Sequence, residues 1–238
     1  MVDIHCHILP GIDDGSQSME ESMNMIRMAV DQGFKSFVAT SHASGHFPKS
    51  TPDRVRDLCR QAEEEAQKTI DEQIRIYPGQ EIMYTADLME RLDAGAYLTL
   101  ADSSWILLEF RPSTPWSVIF GAVRNLSMSP YRPVIAHVER YRALAEDESR
   151  MEELLENGAR LQMNYRSLEG GWFDKKASRC RKLVKAGYIQ YLGTDMHNTE
   201  NRSPDTEGAM RWMRKHLSEE EITGLCGKNA DEILTENV

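Results

Sequence analysis

The sequence contains no apolar run that approaches the roughly 18 consecutive residues needed to span a membrane as a helix. Its first residues, Met-Val-Asp-Ile-His, carry none of the basic side chains with which a secretory signal peptide begins. On both grounds we expect a cytoplasmic protein that does not insert into a membrane.

Cysteine is also scarce. Only four cysteines occur, at positions 6, 59, 180 and 226, and no two of them form a C-x-x-C pair. At 238 residues the chain is far longer than the small domains that disulfides hold together. We therefore expect reduced thiols that serve as packing residues.

Positive charge is in the minority: 28 lysines and arginines face 38 aspartates and glutamates, which gives a net charge of -10. A protein that binds nucleic acid usually presents a basic face that displaces counterions from the phosphates. An exonuclease would also be expected to have stacking aromatic residues along a basic channel. The acidic balance argues against a nucleic-acid partner and against nuclease activity.

The chain has no internal repeat, no low-complexity segment and no linker rich in Pro, Gly or Ser. With 40% hydrophobic residues it can bury a sizeable core. Because α/β barrels of this length are single units, we predict one domain over residues 1–238.

Short apolar runs alternate with longer amphipathic ones, which is typical of β/α units. The seven β-like runs lie near residues 2–6, 36–41, 74–82, 104–110, 132–137, 159–164 and 188–194. Four helix-start signals, Ser18 with Glu21, Thr51-Pro52, Thr114-Pro115 and Ser218 with Glu221, predict helices that begin near 19, 52, 115 and 219. This pattern alone fits both a barrel and an open doubly wound sheet.

Residues of metal-ligand type follow six of the seven predicted strands, at the ends where α/β folds carry their active sites. They are His5, His7, His42, Glu81, Glu109, His137, Asp195 and His197. Because successive side chains of a strand alternate faces, His5 and His7 point the same way, and so do Asp195 and His197. A barrel brings such ends into one ring, whereas an open sheet spreads them along an edge, so the pattern favours a barrel.

A single histidine pair is a weak signal, because histidine also serves as a hydrogen-bonded core residue. Five histidines and three carboxylates together would be costly to bury unless cations compensated them. Imidazole and carboxylate ligands without thiolate suit manganese, iron or zinc. Since clustered divalent ions can deprotonate a shared water and stabilise a phosphoryl displacement, the pattern indicates phosphate-ester hydrolysis.

Seven short motifs then carry a specific resemblance that runs through nearly the whole chain. They are His5-Cys6-His7, Asp13-Asp14-Gly15, Thr40-Ser41-His42, Gly79-Gln80-Glu81, Glu109-Phe110, Ala136-His137-Val138-Glu139-Arg140-Tyr141 and Thr194-Asp195-Met196-His197-Asn198. In order and spacing they resemble the polymerase and histidinol phosphatase (PHP) superfamily. Within it, they are most similar to the bacterial metal-dependent protein-tyrosine phosphatases of capsule and exopolysaccharide operons.

This resemblance implies a distorted seven-stranded (β/α) TIM-like barrel of the PHP type that holds three divalent metal ions, usually manganese. It assigns the first ion to His5, His7, Glu81 and Asp195, the second to Glu81, Glu109 and His137, and the third to Asp14, His42 and His197. Glu81 bridges the first two ions, and Asp14 is identified by the resemblance alone. Arg140 and Arg202 match arginines that bind the phosphate, and a bidentate grip suits an arginine.

The implied activity is hydrolysis of phosphotyrosine by metal-bound hydroxide, and the implied partner is the phosphorylated tail of a bacterial tyrosine kinase that controls polysaccharide export. No cysteine is followed by an arginine in the C-x5-R arrangement of thiol-based tyrosine phosphatases, so a cysteine nucleophile is not expected. Two alternatives stay open: a PHP phosphatase of histidinol phosphate or a sugar phosphate, and a non-catalytic metal-binding interaction domain.

Two loops near the predicted strand ends carry none of the predicted ligands. His46 and Lys49, in the segment from Ala43 to Ser50, are expected to lie in an exposed loop after the second strand. The segment from Asn164 to Lys176 offers no obvious ligand at the end of the sixth predicted strand, and we expect it to shape substrate choice instead.

Overall fold

The structure is a computed structural model that describes residues 1–171 and 173–236. Its strands are β1 (Val2–Cys6), β2 (Ser36–Ala43), β3 (Arg75–Met83), β4 (Trp105–Glu109), β5 (Arg132–Ile135), β6 (Arg160–Asn164) and β7 (Tyr191–Gly193). Its α-helices are α1 (Met19–Asp31), α2 (Pro52–Thr69), α3 (Leu88–Asp93), α4 (Trp116–Leu126), α5 (Arg142–Glu146), α6 (Ser149–Glu156), α7 (Lys175–Lys185), α8 (Glu207–His216), α9 (Glu219–Cys226) and α10 (Asp231–Leu234). All seven predicted strands are confirmed, although β5 ends two residues early and β7 begins three residues late.

The sheet is parallel throughout, and each strand pairs with the next one in the sequence, from β1 to β7. The first and last strands then meet. The N–H of His7 donates to the carbonyl of Met196 (2.9 Å), and the N–H of Asp195 donates to the carbonyl of His5 (2.8 Å). The result is a nearly closed barrel, which confirms the predicted architecture and excludes the open sheet.

A buried carboxylate reinforces this closure. Asp3, on β1, accepts hydrogen bonds from the N–H (3.1 Å) and the hydroxyl (2.6 Å) of Thr194, directly after β7. Burial is the larger influence on the Asp3 carboxyl and raises its pKa to about 6, although these hydrogen bonds oppose the shift. Side-chain hydrogen bonds therefore connect β1 and β7 where few backbone hydrogen bonds join the two strands.

The helix-start signals are mostly confirmed. The side chains of Ser18, Thr51 and Ser218 each accept a backbone N–H from the first turn of α1, α2 and α9. The signal at Thr114 is wrong by one residue: α4 begins at Trp116, and the residue before it is Pro115 in an extended conformation. Because Pro115 is itself extended, Thr114 lies one residue outside the N-cap position, and no side chain among the described residues caps α4.

Side-chain alternation along the strands divides the interior into two cores. On β4, Ile106 and Leu108 face outward and pack in the larger core beneath the helices, whereas Trp105 and Leu107 face into the barrel. The inner core fills the end of the barrel where the strands begin, and Ile233 of α10 covers it. The polar residues at the other end of the strands therefore surround the mouth of a filled barrel.

The four cysteines are all buried and unpaired, as expected of packing residues. No helix in the described part of the chain combines the length and the hydrophobicity that crossing a membrane requires.

Candidate metal centre

The barrel brings all nine predicted ligands together at the mouth. They are His5, His7, Asp14, His42, Glu81, Glu109, His137, Asp195 and His197. Most are buried, and Asp14 and His42 are the more exposed members at the surface. Three groups of potential ligand atoms occur among them, each with all atoms within 4.8 Å of one another.

The first group consists of His5, His7 and Glu81. The Nε2 atoms of the two histidines lie 3.4 Å apart, and each lies 3.3 Å from Oε2 of Glu81. Atoms that coordinate one ion at about 2.1 Å stand roughly 3 to 3.5 Å from each other, so these distances fit a shared cation. Oδ1 of Asp195 lies 3.7 Å from both Nε2 atoms, on the edge of the same space.

The second group consists of His42, Glu81 and Glu109, and His137 lies beside it. Nε2 of His137 lies 2.8 Å from Oε1 of Glu81 and 3.4 Å from Oε1 of Glu109. His42 reaches the same carboxylates with its Nδ1 atom, 3.0 Å from Oε2 of Glu81. Oε1 of Glu81 thus faces His137, whereas its Oε2 faces His42 and the two histidines of the first group, so this carboxylate lies between the groups.

The third group joins His7, Asp14, His42 and His197. Oδ1 of Asp14 lies 3.5 Å from Nε2 of His42 and 3.5 Å from Nε2 of His197. The N–H at Nδ1 of His197 can donate to the carbonyl of Asp195 (3.0 Å), while its Nε2 is buried and has no hydrogen-bond partner among the described residues. A buried nitrogen without a partner is costly, and a metal ion satisfies it.

Electrostatics keeps the buried carboxylates of this centre charged. Burial would raise the pKa of Glu81, but the imidazoles of His5 and His42 outweigh it and hold the pKa well below its usual range. The pKa of Asp195 is lowered against burial in the same way, by His5 and Arg140. Burial and the neighbouring His7 ring lower the pKa of His197 to about 4. The anions Glu81 and Asp195 and the neutral His197 are the protonation states that bind divalent cations. Burial would lower the pKa of His7, but Asp13 and Glu81 raise it to about 10, so His7 must lose a proton when a cation binds.

Residues that the sequence analysis did not assign hold these ligands in place. Nδ1 of His7 donates to Oδ2 of Asp13 (2.8 Å), which leaves Nε2 free to face Glu81. The side-chain oxygen of Gln162, on β6, accepts from Nδ1 of His5 (3.0 Å) and from the backbone N–H of His137 (2.7 Å). Such partners fix the tautomer and orientation of metal-binding imidazoles.

Asn164 continues this support at the end of β6. Its side-chain N–H donates to Oδ2 of Asp195 (2.7 Å), and its oxygen accepts from Nε2 of Gln162 (3.0 Å). The only predicted strand without a ligand type thus contributes two amides that orient ligands on its neighbours. A signal was available, since inward-facing Gln162 and Asn164 alternate as strand residues do.

Two ligands lie in strained backbone. His137 (φ 31°) and Asp195 (φ 52°) adopt the left-handed region that non-glycine residues rarely occupy. Each comes directly after or near the end of a strand, where the turn directs its side chain into the mouth. Backbone strain of this kind concentrates at functional sites.

Both predicted arginines lie at the mouth. Arg140 donates to Oδ2 of Asp195, and Arg202 donates to Oδ1 of the same carboxylate (3.0 Å). Arg202 also lies 3.7 Å from Oδ2 of Asp14. Their side chains are about one-third exposed, at 36% and 33%, so each guanidinium can reach a ligand that enters from solvent.

An aromatic residue forms part of the rim. The ring of Phe47, in the loop after β2, stacks on the imidazole of His42 with centroids 5.3 Å apart and planes 10° apart. In that loop His46 and Lys49 are exposed, as expected. In the segment from 164 to 176, Trp172 lies outside the described residues.

Comparison with known proteins agrees with this geometry. The family model described as "Capsular polysaccharide synthesis, CpsB/CapC" matches residues 1–235. Tyrosine-protein phosphatase YwqE of Bacillus subtilis is 33% identical over 98% of this chain and 91% of its own length. Tyrosine-protein phosphatase CpsB of Streptococcus pneumoniae is 31% identical over the full length of both.

Solved structures give the same result. One chain from the crystal structures of YwqE from Bacillus subtilis and CpsB from Streptococcus pneumoniae, described as unique metal-dependent tyrosine phosphatases, superposes with a TM-score of 0.90 at 32% identity. That match covers 100% of this chain and 96% of the other. Histidinol phosphate phosphatase from Lactococcus lactis shares only the fold, with a TM-score of 0.56 and 15% identity over 91% of this chain and 94% of the other. The chain belongs to the CpsB/CapC family of capsular polysaccharide synthesis.

Proposed function

We propose that this protein is a metal-dependent protein-tyrosine phosphatase that removes phosphate from tyrosine side chains. The observation that carries the proposal is the convergence of nine ligand-type residues on one mouth in a chain that matches curated tyrosine phosphatases along its whole length. The relatives are tyrosine-protein phosphatases, which supports phosphotyrosine as the substrate class. The clustered ligand-type residues support metal-assisted hydrolysis as the reaction.

We assign three divalent ions to the three groups, with manganese as the expected metal. His5, His7, Glu81 and Asp195 would hold the first ion. Glu81, Glu109 and His137 would hold the second, and Asp14, His42 and His197 the third. Bound there, the ions supply an activated water and positive charge for the attacking and leaving oxygens.

The protein's own cations bind and orient the phosphoryl group. Arg140 and Arg202 both contact Asp195, so their guanidinium groups point toward the same space above the ligands. Arginine binds phosphate oxygens through paired N–H donors, which fixes orientation as well as charge. Because the phenol of tyrosine has a pKa near 10, it leaves more easily than an alkoxide, and no side chain needs to protonate it.

For the physiological substrate we propose a phosphorylated bacterial tyrosine kinase of the polysaccharide export system, encountered in the cytoplasm. The family description supports the capsule context. The kinase itself is inferred from the resemblance, and the compartment is an expectation from the sequence.

The first test compares substrates. Purified protein with manganese is offered phosphotyrosine peptides, phosphoserine peptides and histidinol phosphate, and the released phosphate is measured for the wild type and His5→Ala. We expect turnover selective for phosphotyrosine that is lost in the variant, with three ions per chain by elemental analysis. Turnover confined to histidinol phosphate would replace the proposal with a metabolite phosphatase. A protein that binds metal but turns over nothing would be an interaction domain.

A further inference from the structure

The outer surface of the barrel carries a groove between α7 and α8 that the proposed catalytic chemistry does not use. Its volume is about 460 Å³, and the side chains that define it are Arg181, Lys182, Lys185, Trp212, Lys215 and His216. No carboxylate lines it among the residues that the structure describes. The groove is therefore a positively charged surface on an acidic protein.

This concentration of charge is local. Helix α7 reads Lys-Lys-Ala-Ser-Arg-Cys-Arg-Lys-Leu-Val-Lys and has six basic residues and no acidic one, whereas the whole chain has a net charge of -10. The last turn of α8 adds Arg214, Lys215 and His216. This positive charge is opposite in sign to the net charge of the chain. It attracts anionic partners and determines where they approach the protein.

Two of the groove lysines have no internal ion pair in the part of the chain that the structure describes. Neither Lys185 nor Lys215 forms an ion pair within the described ranges, and both are exposed. Lys182 pairs with Glu148 at 2.9 Å on the outer side. Arg181 donates to the carbonyls of Leu168 (2.9 Å) and Gly170 (2.8 Å), which fixes it as a wall of the groove.

Trp212 forms the apolar part of the groove. Its indole, only partly exposed, lies beneath Arg181 (5.7 Å) and Lys185 (6.0 Å), and the ring of His216 stacks on it at 5.2 Å. Cations held over an aromatic face are partly ordered before any ligand binds. A ligand with acidic groups and short apolar stems fits this combination.

We propose that the groove binds an acidic segment of the phosphoprotein substrate, at a distance from the phosphotyrosine that enters the metal centre. The proposal rests on the proposed function. Both helices begin at the mouth, since they follow the loops after β6 and β7, and α7 extends about 15 Å from Lys175 to Lys185. An extended peptide needs roughly five residues or more to cover that length.

A protein segment suits the groove better than a bilayer does. The site is concave and Trp212 is recessed, so no aromatic side chain of the groove projects as a membrane anchor. Glu219, Glu220 and Glu221 begin α9, which two residues separate from the end of α8, so a broad anionic surface that covers both helices would meet like charge. A narrow acidic peptide lying between α7 and α8 avoids them.

The test uses the pair Lys185→Glu and Lys215→Glu in the full-length protein loaded with manganese. The probes are a phosphotyrosine peptide with a Glu-rich segment about eight residues from the phosphotyrosine, the same peptide with Gln in place of Glu, and p-nitrophenyl phosphate. The pair Lys68→Glu and Lys228→Glu is the control, because these exposed lysines lie on other elements and change the net charge equally. Both groove lysines are exposed, so folding should be unaffected.

We expect the wild type to show a KM for the Glu-rich peptide at least threefold below that for the Gln peptide, and this advantage should shrink at high salt. The groove variant should lose the advantage through KM alone, with kcat and p-nitrophenyl phosphate turnover unchanged. Equal KM values for the two peptides in the wild type, or the same loss in the control variant, would overturn the proposal.

Binding of the unphosphorylated Glu-rich peptide, followed by fluorescence anisotropy, separates this proposal from the proposed function. Binding that the groove variant loses would support the groove even if no phosphotyrosine were hydrolysed. Binding of vesicles rich in anionic phospholipid, without binding of the peptide, would show a membrane surface and overturn the peptide assignment.

Discussion

Asp13 accepts a hydrogen bond from Nδ1 of His7 at 2.8 Å, and the same carboxylate oxygen accepts the backbone N–H of His42 at 2.9 Å. One residue outside the ligand set therefore orients one imidazole and holds the strand that carries another. Both atoms of this contact are buried, so solvent cannot substitute for Asp13.

Asp13→Ala should weaken metal binding about 10- to 100-fold, because outer partners of ligating histidines typically contribute that much. The measurement is a manganese titration of the metal-free protein. The control is Asp31→Ala, which removes an exposed carboxylate at the end of α1. Unchanged manganese affinity in Asp13→Ala would show that His7 keeps its orientation without Asp13.

Gly15→Ala should destabilise the protein by about 1 to 3 kcal/mol or more, since inserted atoms in packed regions force shifts of that cost. A Cβ there would lie 2.3 Å from the carbonyl oxygen of His7 and 2.5 Å from its Cβ. Gly45→Ala is the matched control, because a Cβ at that position meets nothing within 4 Å. The measurement is thermal unfolding of both variants. Equal Tm values would contradict the claim that a side chain at position 15 clashes with His7.

Arg140→Lys should lower kcat/KM for phosphotyrosine about 10- to 100-fold, since a charged hydrogen bond contributes about 1.5 to 3 kcal/mol and lysine lacks the paired donors. Arg124→Lys, on the exposed face of α4, is the control. Steady-state kinetics with one phosphopeptide measures the effect. A drop of less than twofold would remove Arg140 from phosphate binding.

Phe47→Ala should raise KM for aryl phosphates about 2- to 10-fold, because an aromatic pair contributes about 0.5 to 1.5 kcal/mol beyond its buried area. Phe47→Tyr should retain most of the wild-type value. Parallel kinetics with an alkyl phosphate such as β-glycerophosphate separates two roles. An equal loss for both substrates, together with lower metal content, would mean that Phe47 only positions His42.

Removing divalent ions with a chelator should abolish activity and lower Tm, because the buried carboxylates then lose their cations. Restoring manganese to about 100 times its Kd should add about 2.7 kcal/mol per bound ion to the free energy of unfolding by mass action. Calorimetry across a manganese series measures this. His5→Ala should show a smaller increase in stability on adding manganese. A wild-type Tm that does not change with manganese concentration would contradict metal binding at this centre.

The sequence predicts the strands and the first ligands of this protein well, because strand alternation and strand ends are local features. For this reason His5 shares a strand face with His7, and Asp195 shares one with His197. A barrel is predicted because it brings these strand ends into one ring. The dipeptides Thr51-Pro52 and Thr114-Pro115 look alike in the sequence, but the helix begins at the proline in the first and one residue after it in the second.

The supporting residues are harder to predict because their roles depend on distant neighbours. Gln162 contacts His5 across 157 positions of sequence, and an amide on a strand has many possible partners. The stacking of Phe47 on His42 likewise depends on how the loop after β2 folds back. Such contacts follow from the three-dimensional path of the chain and leave little trace in local pattern.

The seam between β1 and β7 also governs how the protein is made. Asp3 and Thr194 are 191 positions apart, and the predicted ligands on the two sides of the seam, such as His5 and Asp195, meet only when β7 has been synthesised. Contacts of such separation form late and slowly. On the ribosome, His5 and His7 can meet the other predicted ligands only after nearly the whole chain has been synthesised. A nascent or truncated product that ends before His197 therefore has an incomplete centre. Metal capture can therefore serve as a marker of completed synthesis.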